Sequence, residues 1–123
     1  IKLAMNLQIT MLALSLSEGI TLVKKLNVNP KIFLEVLNST YFKTGMSENK
    51  AFKMIEGNYD ATFTLANLKK DITTMTSASM NLGIELPMIT KAEEIYENAI
   101  KEGLGDLDYT GIIQYIKKIN NML

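Results

Sequence analysis

The sequence predicts an all-α domain of about six helices. Apolar residues recur with the three- and four-residue spacing of a helix along nearly the whole chain of 123 residues. Clusters of Val, Ile and Thr are short and lie inside that spacing, so no strand competes with the helices. A hydrophobic fraction of 47% is enough to build the core of one compact domain.

The first helix is predicted from residue 3 to about residue 26. Its apolar side chains cover more than one face, which indicates either the central helix of the domain or a helix shared with a second subunit. Gly19 costs about 1 kcal/mol relative to alanine there and indicates a close contact with another helix. Polar residues within the segment argue against a membrane span. They are Asn6, Gln8, Ser15, Ser17 and Glu18.

Capping residues delimit the next two helices. Asn29 is a favourable N-cap and Pro30 suits the first helical position, so the pair predicts a helix over residues 30–38. A shorter helix is predicted over residues 47–55, and Gly57 closes it because glycine readily adopts the left-handed conformation found after helix ends.

Three longer periodic segments follow. The first, after a short loop, is a long helix that ends at Gly83. Pro87 opens the second, which ends at Gly103. The last helix is capped by Asp108 or Thr110, and this capping role is favoured over a cation-binding loop because the spacing does not fit an EF-hand.

The composition excludes several classes of site. The chain has neither cysteine nor histidine, which excludes disulfides, thiolate metal sites and Ser-His-Asp or Cys-His catalysis, and no metal site is predicted. All thirteen basic residues are lysine and thirteen residues are acidic, so the zero net charge argues against a nucleic-acid or anionic membrane surface. Acid–base chemistry near neutral pH would fall to lysine, aspartate, glutamate or tyrosine.

The first residues of the chain lead to two further expectations. The chain lacks the basic leader and the small-residue cleavage site of a secretory signal, which together with the polar residues inside the first helix predicts a cytoplasmic protein. The chain opens with Ile1 rather than methionine, which suggests missing upstream sequence.

Lys2 and Asn6 are the first candidate site. Their spacing of four puts both side chains on one face of the first helix. The positive end of the helix dipole disfavours an ammonium in the first turn, which suits a lysine that must release and recover a proton. Asn6 could orient that lysine or bind a substrate hydroxyl. The spacing alone favours a solvated lysine and a polar residue without catalytic roles.

Phe63, Lys70 and Asp71 are the second candidate site. Phe63 lies at the start of a predicted helix, and Lys70 follows two turns later on nearly the same face. An aromatic ring and a lysine on one face could contact a flat cofactor and its anionic groups. The alternative is a core phenylalanine beside a solvated charge pair, and the pattern alone favours that alternative.

Five blocks, in this order, resemble the C-terminal domain of β-hydroxyacid dehydrogenases of the 3-hydroxyisobutyrate dehydrogenase type. They are Lys2-Leu-Ala-Met-Asn6 (K-x-x-N-N), Leu14–Ile20 (A-x-x-E-A-L), Phe63–Asp71 (F-x-L-x-x-x-x-K-D), Gly83–Pro87 (G-x-x-x-P) and Gly103–Thr110 (G-x-G-x-x-D-x-S/T). The blocks cover nearly the whole chain. Met5 departs from the family pattern, which has asparagine there, and this leaves the substrate preference open.

The resemblance implies a fold like the C-terminal domain of 6-phosphogluconate dehydrogenase over residues 1–123, with the N-terminal Rossmann domain absent from this chain. It implies oxidation of a small 3-hydroxy acid, or reduction of the matching semialdehyde, with NAD or NADP bound mainly by that absent domain. Lys2 would be the catalytic general acid/base and Asn6 a substrate-binding residue. Phe63, Lys70 and Asp71 would line the cofactor side. Family members commonly form homo-oligomers through this domain.

Two alternatives to this dehydrogenase remain open. The first is a stand-alone helical dimerisation or interaction module without catalysis. The second is a relative of 6-phosphogluconate dehydrogenase itself, against which the absence of arginine counts, because phosphate recognition usually recruits arginine. The chain has no glycine-rich phosphate loop, so we expect it to be inactive by itself.

Overall fold

The computed structural model describes residues 1–123 and contains helices but no strands. The α-helices are α1 (Lys2–Lys25), α2 (Pro30–Asn38), α3 (Gly45–Asn49), α4 (Ala51–Glu56), α5 (Leu65–Leu82), α6 (Pro87–Lys101) and α7 (Ile112–Ile119), and a 3-10 turn covers Tyr109–Gly111. The predicted all-α fold is confirmed.

There are seven α-helices because the predicted helix over residues 47–55 is two short helices, α3 and α4. A capping box opens α3 earlier than predicted: Thr44 Oγ1 accepts from Ser47 N at 2.9 Å, and Ser47 Oγ accepts from Thr44 N at 2.8 Å. The helix axis breaks at Lys50, which ends α3 and precedes α4. Lys50 therefore lies at a junction, where its side chain can leave the helix surface.

Helix α1 is the central element, since it contacts all six other α-helices. It separates two hydrophobic clusters. Ala13 and Leu14 pack in the first cluster, with residues of α5 and α6, and Leu16 and Ile20 pack in the second, with residues of α2, α4 and α7. The expectation that a helix apolar on more than one face is buried on more than one side is confirmed.

By length and composition alone, α1 is also apolar enough to cross a membrane, with a mean hydropathy of 1.2 over 18 residues. Its polar residues therefore do not exclude a span, contrary to the expectation from the sequence. Within the domain, α1 packs against every other α-helix, and 33% of the residues in that window are buried. Its buried hydroxyl groups are satisfied within the helix: Thr10, Ser17 and Thr21 donate to the carbonyl oxygens four residues earlier.

Gly19 allows the close approach of α2 to α1. A Cβ atom at this position would lie 3.1 Å from the Phe33 ring, which is tighter than an ordinary van der Waals contact. The predicted close helix contact is confirmed. The predicted caps are also observed: Asn29 Oδ1 accepts from Lys31 N at 3.0 Å, and Gly83 ends α5 with a φ of 68°.

Lys117 is a buried cation on α7 that forms no ion pair. Burial, and then the nearby charge of Lys24, lower the pKa of the Lys117 ammonium below its ordinary value. A lowered pKa in the folded state means that keeping this lysine charged costs stability at neutral pH, and that the cost disappears as the pH rises above the ordinary lysine value.

Replacing Lys117 with methionine is therefore expected to raise the free energy of unfolding at pH 7 by about 1 kcal/mol. Methionine keeps much of the length of the side chain without the charge. Chemical denaturation of the two proteins measures the difference, which should shrink above about pH 10. Lys101→Met, at an exposed lysine that also lies in the last turn of a helix, controls for the helix dipole. An equal gain in that control would contradict the burial argument.

Candidate functional site

The two sequence-predicted sites meet at one hydrogen bond. Asn6 Nδ2 donates to Asp71 Oδ2 at 2.9 Å, across 65 residues of chain. Both residues are partly buried, Asn6 in the second turn of α1 and Asp71 in the second turn of α5. The structure thus brings the Lys2-to-Asn6 segment and the Phe63-to-Asp71 segment together, which neither spacing could predict alone.

The bond to Asp71 gives the Asn6 amide one orientation. An amide whose NH2 group faces a carboxylate directs its carbonyl oxygen elsewhere, so Asn6 Oδ1 is available as an acceptor. The backbone at Asn6 is also held, because its carbonyl oxygen accepts from Thr10 Oγ1 at 2.8 Å. A group held in this way can bind a ligand hydroxyl without first having to be ordered.

Lys2 lies one turn before Asn6, at the exposed N-terminal end of α1. Its ammonium has no carboxylate within 4.0 Å, and in particular it does not pair with Asp71. The first turn of α1 contains no acidic residue, so the positive end of the helix dipole is not compensated by the chain. Lys2 is therefore free to approach a bound molecule next to Asn6.

Phe63 and Lys70 differ in setting. Lys70 is exposed on α5, whereas Phe63 is partly buried and precedes the helix, because the extended backbone of Thr64 makes Thr64 the N-cap. Helical spacing therefore does not relate Phe63 to Lys70. The Phe63 ring packs on the first hydrophobic cluster and meets the Tyr109 ring edge-on, with 6.2 Å between centroids.

Sequence reasoning missed an ion pair beside Phe63. Lys50 Nζ lies 3.0 Å from both carboxylate oxygens of Asp108, whose side chain is 3% exposed. Asp108 also caps the 3-10 turn through Thr110 N. The predicted cap of the last helix by Asp108 or Thr110 is wrong, because α7 follows Gly111 and has no side-chain cap. Burial alone would raise the pKa of the Asp108 carboxyl, but hydrogen bonds from Thr110, Lys50 and the Thr62 backbone outweigh it, so the pKa is lowered.

Lys50 is one of thirteen lysines, and nothing in its local sequence marks it. Asp108 was the stronger sequence signal for this ion pair. An aspartate between two helix-breaking segments commonly caps a helix and so has a fixed position. A cap that becomes buried needs a positive partner, but the sequence does not say which of the lysines supplies it.

A separate groove of about 470 Å³ lies between the C-terminal half of α1, α6 and α7. It contains none of the candidate residues. Its lining contains apolar side chains and charged side chains of both signs. The residues that line it include Glu18, Leu22, Lys25, Lys91, Glu94 and Ile119.

The chain is similar to known oxidoreductases in sequence and in structure. It is 28% identical over 116 residues to glyoxylate/succinic semialdehyde reductase 2 (chloroplastic) of Arabidopsis thaliana, a match that covers 94% of this chain and 32% of that protein. It superimposes on a 3-hydroxyisobutyrate dehydrogenase from Salmonella typhimurium with a TM-score of 0.86 at 18% identity, covering 92% of this chain and 40% of that one.

A second solved structure, the Mycobacterium tuberculosis 3-hydroxyisobutyrate dehydrogenase with L-serine, gives a TM-score of 0.82 at 17% identity and covers 94% of this chain and 42% of that one. The chain therefore spans less than half the length of these relatives. The family model described as "NAD-binding of NADP-dependent 3-hydroxyisobutyrate dehydrogenase" matches residues 1–116. The chain thus belongs to the 3-hydroxyisobutyrate dehydrogenase family of NAD(P)-dependent oxidoreductases, as its five sequence blocks indicated.

Proposed function

We propose that residues 1–123 are the substrate-binding and oligomerisation domain of an NAD(P)-dependent enzyme that interconverts a small 3-hydroxy acid and its semialdehyde. The observation that carries the proposal is the Asn6–Asp71 hydrogen bond, which joins the Lys2 turn to the Lys70-Asp71 segment. A Rossmann domain in the rest of the polypeptide would complete the site, in keeping with the 32% of the Arabidopsis relative that this chain covers.

Lys2 is the general acid and base in this proposal. During reduction its ammonium donates a proton to the aldehyde oxygen as that oxygen becomes an alcohol, and during oxidation the amine takes the hydroxyl proton back. The exposed position of Lys2 and its lack of a carboxylate partner support this role. A partner carboxylate would hold the ammonium in its charged form and oppose release of the proton.

Asn6 holds the substrate in this proposal. Its NH2 group is committed to Asp71, so its carbonyl oxygen accepts a hydrogen bond from a substrate hydroxyl. Asp71 acts on the substrate indirectly, by orienting that amide. In this proposal the bound hydroxyl lies on the face of α1 that also carries Lys2.

The cofactor side of the site consists of Phe63, Lys70 and Asp71. NAD or NADP accepts or supplies the hydride when it is bound. The exposed Lys70 ammonium fits an anionic group of the cofactor, and the partly buried Phe63 presents an apolar surface to a flat ring. The chain has no glycine-rich phosphate loop, so these residues can cover only one side of the cofactor.

A homo-oligomer is part of the proposal. The groove between α1, α6 and α7 exposes Leu22 and Ile119, which are 61% and 57% accessible. Its border carries two acidic and two basic residues, Glu18, Glu94, Lys25 and Lys91. A surface with both signs of charge can pair with a copy of itself across a two-fold axis, and exposed apolar residues supply the driving force. We therefore expect α1 of two copies to meet there.

Leu22→Glu is expected to shift the protein from dimer to monomer at micromolar concentration, because it places a charge in a buried apolar contact. Sedimentation velocity measures the mass. Leu82→Glu changes an exposed leucine at the end of α5, outside the groove, and should leave the dimer intact. A wild-type monomer, or a dimer that survives Leu22→Glu, would contradict this interface.

The activity is tested with the full-length reading frame. Nicotinamide absorbance is followed with NADH and NADPH on glyoxylate, succinic semialdehyde and the semialdehyde of 3-hydroxyisobutyrate, and in the reverse direction with 3-hydroxy acids and L-serine. Turnover on one of these supports the dehydrogenase and identifies the substrate, and residues 1–123 alone should show none. Absence of turnover and of cofactor binding would favour the interaction module. The cytoplasmic location stays a prediction from the sequence.

A further inference from the structure

Phe63 is held through both its backbone and its ring. Its carbonyl oxygen accepts from Tyr109 N at 2.8 Å, and its own N–H donates to Asp108 Oδ1 at 3.4 Å. Its ring meets the Tyr109 ring at an interplanar angle of 61°. Two consecutive residues, Asp108 and Tyr109, thus determine where the Phe63 ring lies.

The Lys50 ammonium contacts both of these residues at once. Nζ lies 3.0 Å from each oxygen of Asp108 and 4.5 Å from the centroid of the Tyr109 ring. The first contact is a charge-assisted pair and the second a cation–π contact. Because Lys50 comes from the junction of α3 and α4, it ties the 3-10 turn, and through it Phe63, to a distant part of the chain.

The Thr62 hydroxyl completes the network immediately before Phe63. Thr62 Oγ1 accepts from Lys50 Nζ at 2.8 Å and donates to Asp108 Oδ1 at 3.1 Å, and Thr62 N donates to the same oxygen at 3.1 Å. The hydroxyl therefore bridges the cation and the anion. Although its side chain takes part in these bonds, Thr62 as a residue is exposed.

Capping of the 3-10 turn does not account for this arrangement. The cap uses Asp108 Oδ2, which accepts from Thr110 N at 3.3 Å and from Thr110 Oγ1 at 2.5 Å. The other oxygen, Oδ1, accepts from Thr62 and Phe63 and so holds a different loop. One of the two carboxylate oxygens of Asp108 is therefore bonded to the segment that contains Phe63, the aromatic residue of the cofactor side.

We propose that Lys50, Thr62 and Asp108 are positioning residues that hold Phe63 in place as the aromatic surface facing the nicotinamide cofactor. The inference rests on the proposed function of Phe63. The three residues touch neither substrate nor cofactor, and they act by keeping the backbone of residues 62–63 and the Tyr109 ring in one arrangement. Holding the ring before the cofactor arrives lowers the entropic cost of binding.

The test uses Thr62→Val in the full-length enzyme, because this change removes the bridging hydroxyl while leaving the buried ion pair and the fold. The KM for the nicotinamide cofactor is expected to rise about three- to tenfold, the effect of one lost hydrogen bond, with kcat within about twofold. Thr62→Ser should restore the wild-type KM. Thr74→Val is the matched control, since the Thr74 hydroxyl bonds only the Lys70 carbonyl of its own helix.

A second readout is independent of activity. Hydrogen exchange of the Tyr109 amide, which is bonded to Phe63 O, should be faster in Thr62→Val than in Thr74→Val in the full-length enzyme without cofactor. Unchanged exchange, or an unchanged KM where Phe63→Ala does raise it, would overturn the positioning role and leave the proposed function standing. An unchanged KM in Phe63→Ala itself would overturn the cofactor-side role of Phe63 and this inference with it.

Discussion

Lys2→Ala in the full-length enzyme is expected to lower kcat by about 10²- to 10⁴-fold, the usual contribution of a general acid or base. Stability should change by less than about 0.5 kcal/mol, because Lys2 is exposed and has no ion pair. The cofactor KM should stay near the wild-type value, since Lys2 acts on the substrate oxygen. Steady-state kinetics over a range of pH measures both constants.

Two further variants separate proton transfer from charge. Lys2→Arg keeps the positive charge but cannot release a proton near neutral pH, so it should be nearly as inactive as Lys2→Ala. Lys31→Ala, at an exposed lysine on α2, controls for the loss of a surface charge. Addition of a small primary amine should partly restore Lys2→Ala only if the missing group is the base. Turnover of Lys2→Arg within about fivefold of wild type would exclude proton transfer by Lys2.

The loss of the Asp108 carboxylate is expected to have a large effect on stability. Asp108→Ala is expected to lower the free energy of unfolding by about 3–5 kcal/mol, because it leaves the Lys50 ammonium and several backbone N–H groups without their acceptor. That is a large share of the roughly 5–15 kcal/mol of an ordinary domain. Asp106→Ala, an exposed aspartate in the same loop, should cost less than about 0.5 kcal/mol. Thermal and denaturant unfolding of residues 1–123 measure both.

The Asp108 carboxyl should also make the stability of the fold depend on pH. Since the pKa of Asp108 is lower in the folded state than in the unfolded chain, the stability it contributes is fully present above its ordinary value and is lost as the pH falls through the folded value. The stability gap between wild type and Asp108→Ala should therefore be constant at neutral pH and narrow below about pH 4. A gap that stays constant down to about pH 2 would mean that the carboxylate charge is not what stabilises the fold.

Most helix ends could be predicted because their signals are local. Asn29-Pro30 and Gly83 mark their helices through backbone conformations and hydrogen bonds that involve only neighbouring residues. The break between α3 and α4 was missed because the capping box starts at Thr44, before the periodic segment, and the short helices carry little periodicity of their own. The position of Phe63 relative to Lys70 was missed because Thr64 is in an extended conformation, so that Phe63 lies before α5 and not within it.

The sequence by itself determined the all-α class, the double-sided burial of α1 and the family, because periodicity, caps and ordered motif blocks are properties of contiguous residues. Only the tertiary structure decided which polar groups meet. Asn6 and Asp71 are 65 residues apart and Lys50 and Asp108 are 58 apart. Thirteen lysines and thirteen acidic residues allow many pairings, and the packing of α1, α5 and the 3-10 turn selects among them.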